Sequence, residues 1–348
     1  MKLRKLHIED YKMFKDFDIS FVDENDEALP IIVLAGVNGS GKTSLLKFMK
    51  DFVTTGYLDI NGQVLEVSYE NHIYQVTSAN DSTNPSLYEY DFFTDNIVYL
   101  PAGSDKIENI KETIRQKYID RAFEIDKPSE ALEELQKYIR DVFDGLDLSF
   151  NLSSINYNKE EVLFQDKSGD EFDIDELSTG EKTLLSKILY LYFKDYKDKV
   201  ILIDEPELSL HPSWQNRVLK IYENFAFKNN CQIIIATHSP HIIGSAKNEY
   251  LRILRKNDEG NIEVVDNSMA YGRDIEWVLE EVMGVQYTRE KNILLKIEAC
   301  EDLIENEEYD KAEEAINNLE DIIGENDSEI LSLRNSLAFE RIDFEEDN

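Results

Sequence analysis

Five side chains in this 348-residue sequence have the types and spacing for phosphate chemistry: Lys42 and Thr43, Asp204 and Glu205, and His238. Lys42 and Thr43 close the string Gly36-Val37-Asn38-Gly39-Ser40-Gly41-Lys42-Thr43, which fits GxxxxGK[ST], the P-loop. Glycines let a backbone wrap a phosphate with its N–H groups, and a following helix N-terminus adds a positive dipole end. Lys42 is expected to reach the β- and γ-phosphates of ATP, and the Thr43 hydroxyl to hold Mg²⁺. Gly36, Asn38, Gly39, Ser40, Gly41 and Ser44 complete the expected cradle. Asp204 and Glu205 end an apolar run downstream of that loop, the Walker B arrangement. Asp204 is then placed to hold Mg²⁺ through water, and Glu205 to orient the attacking water.

A glycine-rich turn with a stray lysine would also produce the string, so its flanks decide. Ile31-Ile32-Val33-Leu34 reads as a buried strand, and Leu45, Leu46, Phe48 and Met49 follow at helical spacing. That is the strand–loop–helix context a P-loop requires. Val200-Ile201-Leu202-Ile203 and Gln232-Ile233-Ile234-Ile235-Ala236 read as two more buried strands, the second ending in Thr237-His238-Ser239-Pro240-His241. Leu177-Ser178-Thr179-Gly180-Glu181 opens a helix carrying Leu184, Leu185, Ile188 and Leu189; alone it is no more than a capping sequence. His211, His238 and His241 lack the cysteine or histidine neighbours of a zinc site.

The remaining elements frame these motifs. Leu3–Ile8 and Phe17–Phe21 read as strands, with Lys12 between them either a solvated strand-end lysine or a residue near the nucleotide. Residues 57–77 alternate apolar and polar, with Asn61-Gly62 and Glu70-Asn71 as turn residues, which predicts an antiparallel layer. Residues 78–86 are polar and loop-like, and Asn96–Leu100 is a strand stopped by Pro101. From Ser104 to Asp144, Ile107, Ile110, Ile114 and Tyr118, then Leu132, Leu135, Ile139, Val142 and Phe143, predict two amphipathic helices. Val162–Phe164 and Glu171–Ile174 predict a second β stretch, and Tyr250–Leu254 pairs with Ile262–Val265 as a hairpin. The Gln63, Gln75 and Gln116 side chains are poorly placed for a glutamine loop beside the nucleotide.

Beyond residue 288 the apolar residues recur at helical spacing in three stripes: Ile293 to Ile304, Tyr309 to Ile323, and Ile330 to Leu337. Narrow stripes on short helices must lie on something. The same segment holds twenty Asp and Glu against six Lys and Arg, and the whole chain carries a net charge of −35. Such acidity argues against a nonspecific coat on nucleic acid or anionic membrane. Cys231 and Cys300 lie in apolar and helical runs and read as buried thiols. MKLRKLHIEDYKMF is no signal peptide, and no apolar run reaches the 18 or so residues of a spanning helix. A cytoplasmic protein without a membrane partner is expected.

Taken in order, the P-loop, LSTGE, ILIDEPELSLHP and IIIATHSP resemble the ATPase domain of the ABC superfamily, in its soluble SMC, RecF and OLD-like branch. The resemblance covers about residues 1–250. It implies an α/β fold: a P-loop ABC-type ATPase with a parallel-sheet core, an antiparallel β subdomain, a helical lobe and, here, a C-terminal helical segment. It implies that Ser178 and Gly180 of the signature contact the γ-phosphate held by another subunit. Ser209 then belongs to the D-loop, and His238 is the switch histidine. The signature departs from LSGGQ while keeping its serine and second glycine. A nuclease domain of the OLD type is not expected, since Glu259-Gly260 reads as a plain hairpin turn. The expected division is an ATPase domain at 1–287, its helical lobe at about 104–195, and an acidic helical segment at 288–348. The layout also resembles the ATPase of Septu-type anti-phage systems, which acts with a separate HNH nuclease. The implied protein is an ATP-hydrolysing homodimer or higher oligomer that regulates such an effector, with nucleic acid engaged directly or through it. The alternatives are a nucleotide-locked scaffold and a chromosome-maintenance or repair ATPase.

Overall fold

The structure, a computed structural model, describes residues 1–55, 63–69, 72–77, 95–102, 110–144, 146, 148, 150–156, 159–265, 269–285 and 289–346. The expected turns at Asn61-Gly62 and Glu70-Asn71, the loop 78–86 and Ile107 fall outside them. The chain forms two compact units, Met1–Gly284 and Val285–Asn348.

In chain order the first unit contains β1 (Lys2–Tyr11), β2 (Phe14–Ser20), β3 (Ile31–Ala35), α1 (Lys42–Thr55), β4 (Gln63–Tyr69), β5 (His72–Thr77) and β6 (Ile97–Leu100). Next come α2 (Ile110–Ile125), α3 (Pro128–Val142), β7 (Phe150–Asn156), β8 (Glu161–Asp166), β9 (Glu171–Asp173) and α4 (Thr179–Phe193). The unit continues with β10 (Val200–Asp204), α5 (Pro212–Asn229), β11 (Gln232–Ala236), α6 (Pro240–Ser245), β12 (Leu251–Lys256), β13 (Ile262–Val265) and α7 (Ile275–Trp277).

The core is a six-stranded sheet in the order β13-β12-β3-β11-β10-β6. Its strands pair in parallel except at β12–β13. Every residue of β3, β10 and β11 is buried. A parallel sheet covered on both faces demands such continuous apolar runs, which is why these strands were readable as uninterrupted Ile/Val/Leu. α1 packs against β6, β10 and β11, and α5 against β11 and β3. β12 does more than form the expected hairpin. Its Leu251 and Arg252 also lie opposite Val33 and Leu34, so it joins the core sheet beside the P-loop strand.

A four-stranded antiparallel sheet, β2-β1-β4-β5, forms the second layer. One buried amide splices it to the core. Gln232 Oε1 accepts from Leu3 N at 2.7 Å, and its Nε2 donates to the carbonyls of Leu3 at 2.9 Å and Leu29 at 3.0 Å. The side chain thus stands in for a missing stretch of backbone pairing and leaves no polar atom of its own unsatisfied.

The lobe between the P-loop and the signature contains α2 and α3, as expected, and a three-stranded sheet, β7-β8-β9. β7 was not anticipated. Its sequence, FNLSSIN, is largely polar, and its alternation breaks where the register shifts between Leu152 and Ser154. Phe150, Phe164 and Phe172 hold this sheet together edge-on and stacked, with ring centroids 5.3 to 6.3 Å apart.

The second unit comprises α8 (Lys291–Glu305), α9 (Tyr309–Ile323) and α10 (Ser328–Glu346). The three apolar stripes do lie on something: each other. Ile297, Cys300, Ile304, Ala312, Ile316, Leu319, Ile330, Leu333 and Leu337 form one buried cluster. Arg289 pairs with Asp327 at 2.9 Å, and Arg341 with Glu313 at 2.9 Å. Cys300 here and Cys231 in the first unit are both free and buried.

Candidate active site

Because β3, β11 and β10 are parallel neighbours, their C-terminal ends open on one edge, the usual place for ligands in such sheets. Leu34 lies opposite Ala236, and Ala236 opposite Asp204. The ladder runs one bond further on each side, with Thr237 N donating to Leu34 O at 3.0 Å and Glu205 N to Ala236 O at 2.8 Å. The P-loop and two loops far downstream of it therefore leave the sheet side by side.

The first is the P-loop. Gly36 has φ 140°, and a Cβ there would stand 2.3 Å from the Leu254 carbonyl oxygen, so only glycine fits between β3 and β12. Asn38 and Gly39 form the exposed crown; Ser40, Gly41 and Lys42 are buried, and Thr43 and Ser44 half-buried. Lys42 Nζ donates to Gly36 O at 2.7 Å and Val37 O at 3.0 Å, with Ser40 Oγ at 3.4 Å. The ammonium thus stands inside the loop, where phosphate oxygens would be met. Burial lowers its pKa, opposed by Glu205, Glu207 and Asp204.

The second loop leaves β10. Thr43 Oγ1 donates to Asp204 Oδ1 at 2.9 Å, joining the first turn of α1 to the end of β10. The Tyr99 hydroxyl, at the end of β6, donates to the other oxygen of Asp204 at 3.2 Å. Burial pushes the Asp204 carboxyl up, and these two hydrogen bonds pull it back. A hydroxyl and a carboxylate beside a phosphate cradle are hard oxygen donors, the set that suits Mg²⁺.

Glu205 follows in the left-handed region at φ 47°. Its Oε1 lies 3.3 Å from His238 Nδ1, which comes from the third loop, after β11. Glu207, 4% exposed, braces that loop. Its Oε1 accepts from Thr237 Oγ1 at 2.7 Å and from His238 N at 3.1 Å. Lys187 of α4 approaches from below and donates to the Glu205 carbonyl at 3.0 Å.

The signature residues gather elsewhere. Ser178 caps α4 in a reciprocal box with Glu181: its Oγ donates to Glu181 Oε2 at 2.7 Å and accepts from Glu181 N at 3.3 Å. Gly180 lies so close to Ser209 that a Cβ would be 2.5 Å from the Ser209 carbonyl oxygen. Ser178, Gly180, Glu181, Ser209, His211 and Trp214 line a shallow pocket of about 420 Å³, and no P-loop residue borders it.

The sequence-derived site residues therefore fall into two groups. Gly36 to Ser44, Asp204, Glu205 and His238 converge; Ser178, Gly180 and Ser209 form a second patch. The three histidines take separate partners: His211 meets Ser213, His241 meets Asn216, and His238 meets Glu205. Of the glutamines, Gln63 is buried in β4, while Gln75 and Gln116 are exposed. Tyr99, Glu207 and Lys187 were not singled out from sequence. The available signals were a tyrosine ending an apolar strand, a second glutamate after Asp204-Glu205, and a lysine inside the stripe of Leu184, Leu185, Ile188 and Leu189.

The fold is that of the SMC head domain from Thermotoga maritima, with a TM-score of 0.52 at 17% identity over 77% of this chain and all of that one. Fold and motifs together define an ABC-type ATPase. More narrowly, residues 57–244 match the family described as "AAA domain, putative AbiEii toxin, Type IV TA system", and the chain belongs to that family. It is 31% identical over 196 residues to the Septu protein PtuA of Bacillus thuringiensis, covering 51% of this chain and 49% of that protein. It is 28% identical over 184 residues to the Retron Vc95 probable ATPase of Vibrio cholerae, covering 47% of this chain and 34% of that protein. The chain thus spans half or less of these relatives' lengths. Among the described residues no helix is long and apolar enough to cross a membrane.

Proposed function

We propose that this protein is an ATP-driven switch in which two copies close around two ATP molecules. The observation that carries the reading is the split of the site. Phosphate-binding and water-orienting groups meet at the ends of β3, β10 and β11, while Ser178, Gly180 and Ser209 line a pocket with no P-loop residue in it. A second copy would bring that pocket to the nucleotide. Symmetric pairing does this twice, since a two-fold interface matches each patch with its complement.

In this reading Lys42 and the N–H groups of the P-loop hold the β- and γ-phosphates. Thr43 and Asp204 would hold Mg²⁺, which would neutralise phosphate charge. Glu205 orients a water onto the γ-phosphorus and accepts its proton as the new P–O bond forms and the bond to the β-phosphate oxygen breaks. His238, held at its backbone N–H by Glu207 and with its ring beside Glu205, faces the γ-phosphate. The products are ADP and phosphate. The open and closed states control an effector, an HNH-type nuclease or nucleic acid engaged through it, in cytoplasmic anti-phage defence. The likeness to PtuA and to the retron ATPase supports that role. The helical segment, with its twenty acidic residues against six basic, is the proposed dock.

The test is the Glu205→Gln variant weighed by light scattering with ATP and Mg²⁺. Its mass should double relative to the nucleotide-free protein. A variant that binds ATP and keeps the mass of a single chain refutes the switch.

A further inference from the structure

Lys187 interrupts the apolar stripe of α4 and is 5% exposed. An ammonium buried this deeply is costly unless opposite charge and hydrogen bonds meet it. Asp204, Glu205 and Glu207 provide the charge, and the Glu205 carbonyl accepts its hydrogen bond at 3.0 Å. No step of phosphate chemistry described above uses this group.

Its helix meets the same turn twice. At the N-terminal end of α4, Gly180 is pressed onto the Ser209 carbonyl, with only 2.5 Å left for a Cβ. Two turns later Lys187 holds the Glu205 carbonyl, which also accepts from Leu208 N at 3.2 Å. Glu205 and Ser209, the two ends of the gripped segment, both hold left-handed backbone, at φ 47° and 68°. Non-glycine residues stay in that region only when their surroundings impose it. One rigid helix therefore carries the signature at its start, and deeper in it the cation that fixes the backbone of the proposed water-orienting glutamate.

We propose that Lys187 is a positioning residue: it sets the direction of the Glu205 carboxylate and ties it to the signature at the head of α4. Engagement of Ser178 and Gly180 by the neighbouring copy's ATP would then bear on Glu205 of the same chain. This deepens the reading of Glu205 given above and rests on it.

The experiment compares Lys187→Met, Lys187→Arg and Glu205→Gln in the full chain, with steady-state hydrolysis and nucleotide binding measured on each. Lys187→Met should lower kcat by about 10- to 100-fold, the cost of a misplaced reacting group, with the KM for ATP within about 3-fold of the parent. Lys187→Arg, which keeps the charge and the donor, should recover most of that loss. An unchanged kcat in Lys187→Met, or equal losses in kcat and ATP affinity, overturns the proposal. Because removing a buried cation can unfold a chain, Lys187→Met is also combined with Glu207→Gln, which deletes one charge of each sign. That pair should fold and bind ATP; because Glu207 also braces the His238 loop, the decisive result in it is parental turnover, which overturns the proposal. Glu205→Gln separates the two readings. If it turns over at the parent rate, the assignment of Glu205 fails; if it is slow while Lys187→Met is normal, only the role of Lys187 fails.

Discussion

The two units of this chain place charge in opposite ways. In Met1–Gly284, Lys42, Lys187, Asp204, Glu207 and Glu223 are all buried. In Val285–Asn348 the buried cluster is apolar throughout, and among the described residues no charged side chain is buried. Burial of charge costs several kcal/mol per group unless partners are exact in place, so a fold retains it where fixed charge has work to perform. In the first unit Lys42, Lys187, Asp204 and Glu207 surround one turn at the sheet edge, while Arg4, Arg115 and Glu223 are held in ion pairs elsewhere. In the second, charge lies at the surface, where it acts at a distance through water and adds little to stability. In the proposed reading one unit performs chemistry at fixed positions and the other attracts a partner. Substitutions in each should therefore differ in kind, and they are ordered here by their effect on ATP turnover.

Lys42→Ala should act most strongly. No other basic side chain of the P-loop replaces the lost ammonium, and truncating one partner of a buried charge pair costs about 3 kcal/mol, a factor of about 100 in affinity. Titration with a fluorescent ATP analogue checks it; near-parental affinity would place the phosphates elsewhere.

Glu205→Gln should leave binding intact and slow hydrolysis by about 100- to 1000-fold, the usual worth of a positioned base. Ser178→Arg should also bind ATP and fail to hydrolyse it, for a different reason: in the proposed pair its harm falls on the other copy's nucleotide. Mixing sharpens the contrast. A pair made of Ser178→Arg and Lys42→Ala chains contains one intact P-loop facing one intact signature. Hydrolysis should partly return in the mixture, and a mixture as inactive as its parts would count against sharing of the site.

What could be read from sequence follows the same division. The P-loop was legible because its chemistry is contiguous: Gly36 to Thr43 is one string, and its flanks declare a strand and a helix. Asp204 and Glu205 were legible because an acidic pair ending a buried strand is unusual. The supports were not. Tyr99 reaches Asp204 across 105 residues, and Thr237 reaches Glu207 across 30, so the pairs exist only once the sheet order is known. Lys187 was not singled out because helical period alone does not say which face another layer will cover. β7 stayed hidden because Asn151, Ser153, Ser154 and Asn156 carry little strand preference and the bulge breaks their alternation. In the helical unit the stripes were plain from spacing, while their mutual packing depends on turns at 306–308 and 324–327 that carry no strong signal.

Ile316→Ala is expected to weaken the helical unit alone. Ile316 is fully buried in the cluster of α8, α9 and α10, and removing its outer carbons costs about 2–4 kcal/mol. Fluorescence cannot follow this unit selectively, since it contains no tryptophan; hydrogen exchange over 291–337 can. Protection there should fall while kcat for ATP stays within about 2-fold, since Ile316 shares its buried cluster only with residues of its own unit. A matching loss of turnover would show that the two kinds of unit are not separable.

The smallest effect on turnover, and the sharpest test of the contrast, should come from deleting residues 285–348. The first unit keeps its own core together with Lys42, Thr43, Asp204, Glu205 and His238, so ATP binding and hydrolysis should persist within about 2-fold. What should vanish is association with the effector. Twenty acidic residues against six basic give the 288–348 segment a strong negative field, and Arg289, Arg334, Arg341 and Lys311 are already engaged by carboxylates of the same unit. A basic partner would be steered to this surface, quickly at low salt and less so as screening shortens the reach to about 10 Å near 0.1 M ionic strength. Co-purification from native cells should therefore fall with salt for the full chain and be absent for the truncated one. A truncated chain that still retains its partner at moderate salt places the dock on the ATPase unit. A truncated chain that becomes insoluble shows that the acidic helices cover apolar surface of that unit or of its second copy, and that attraction is not their main task.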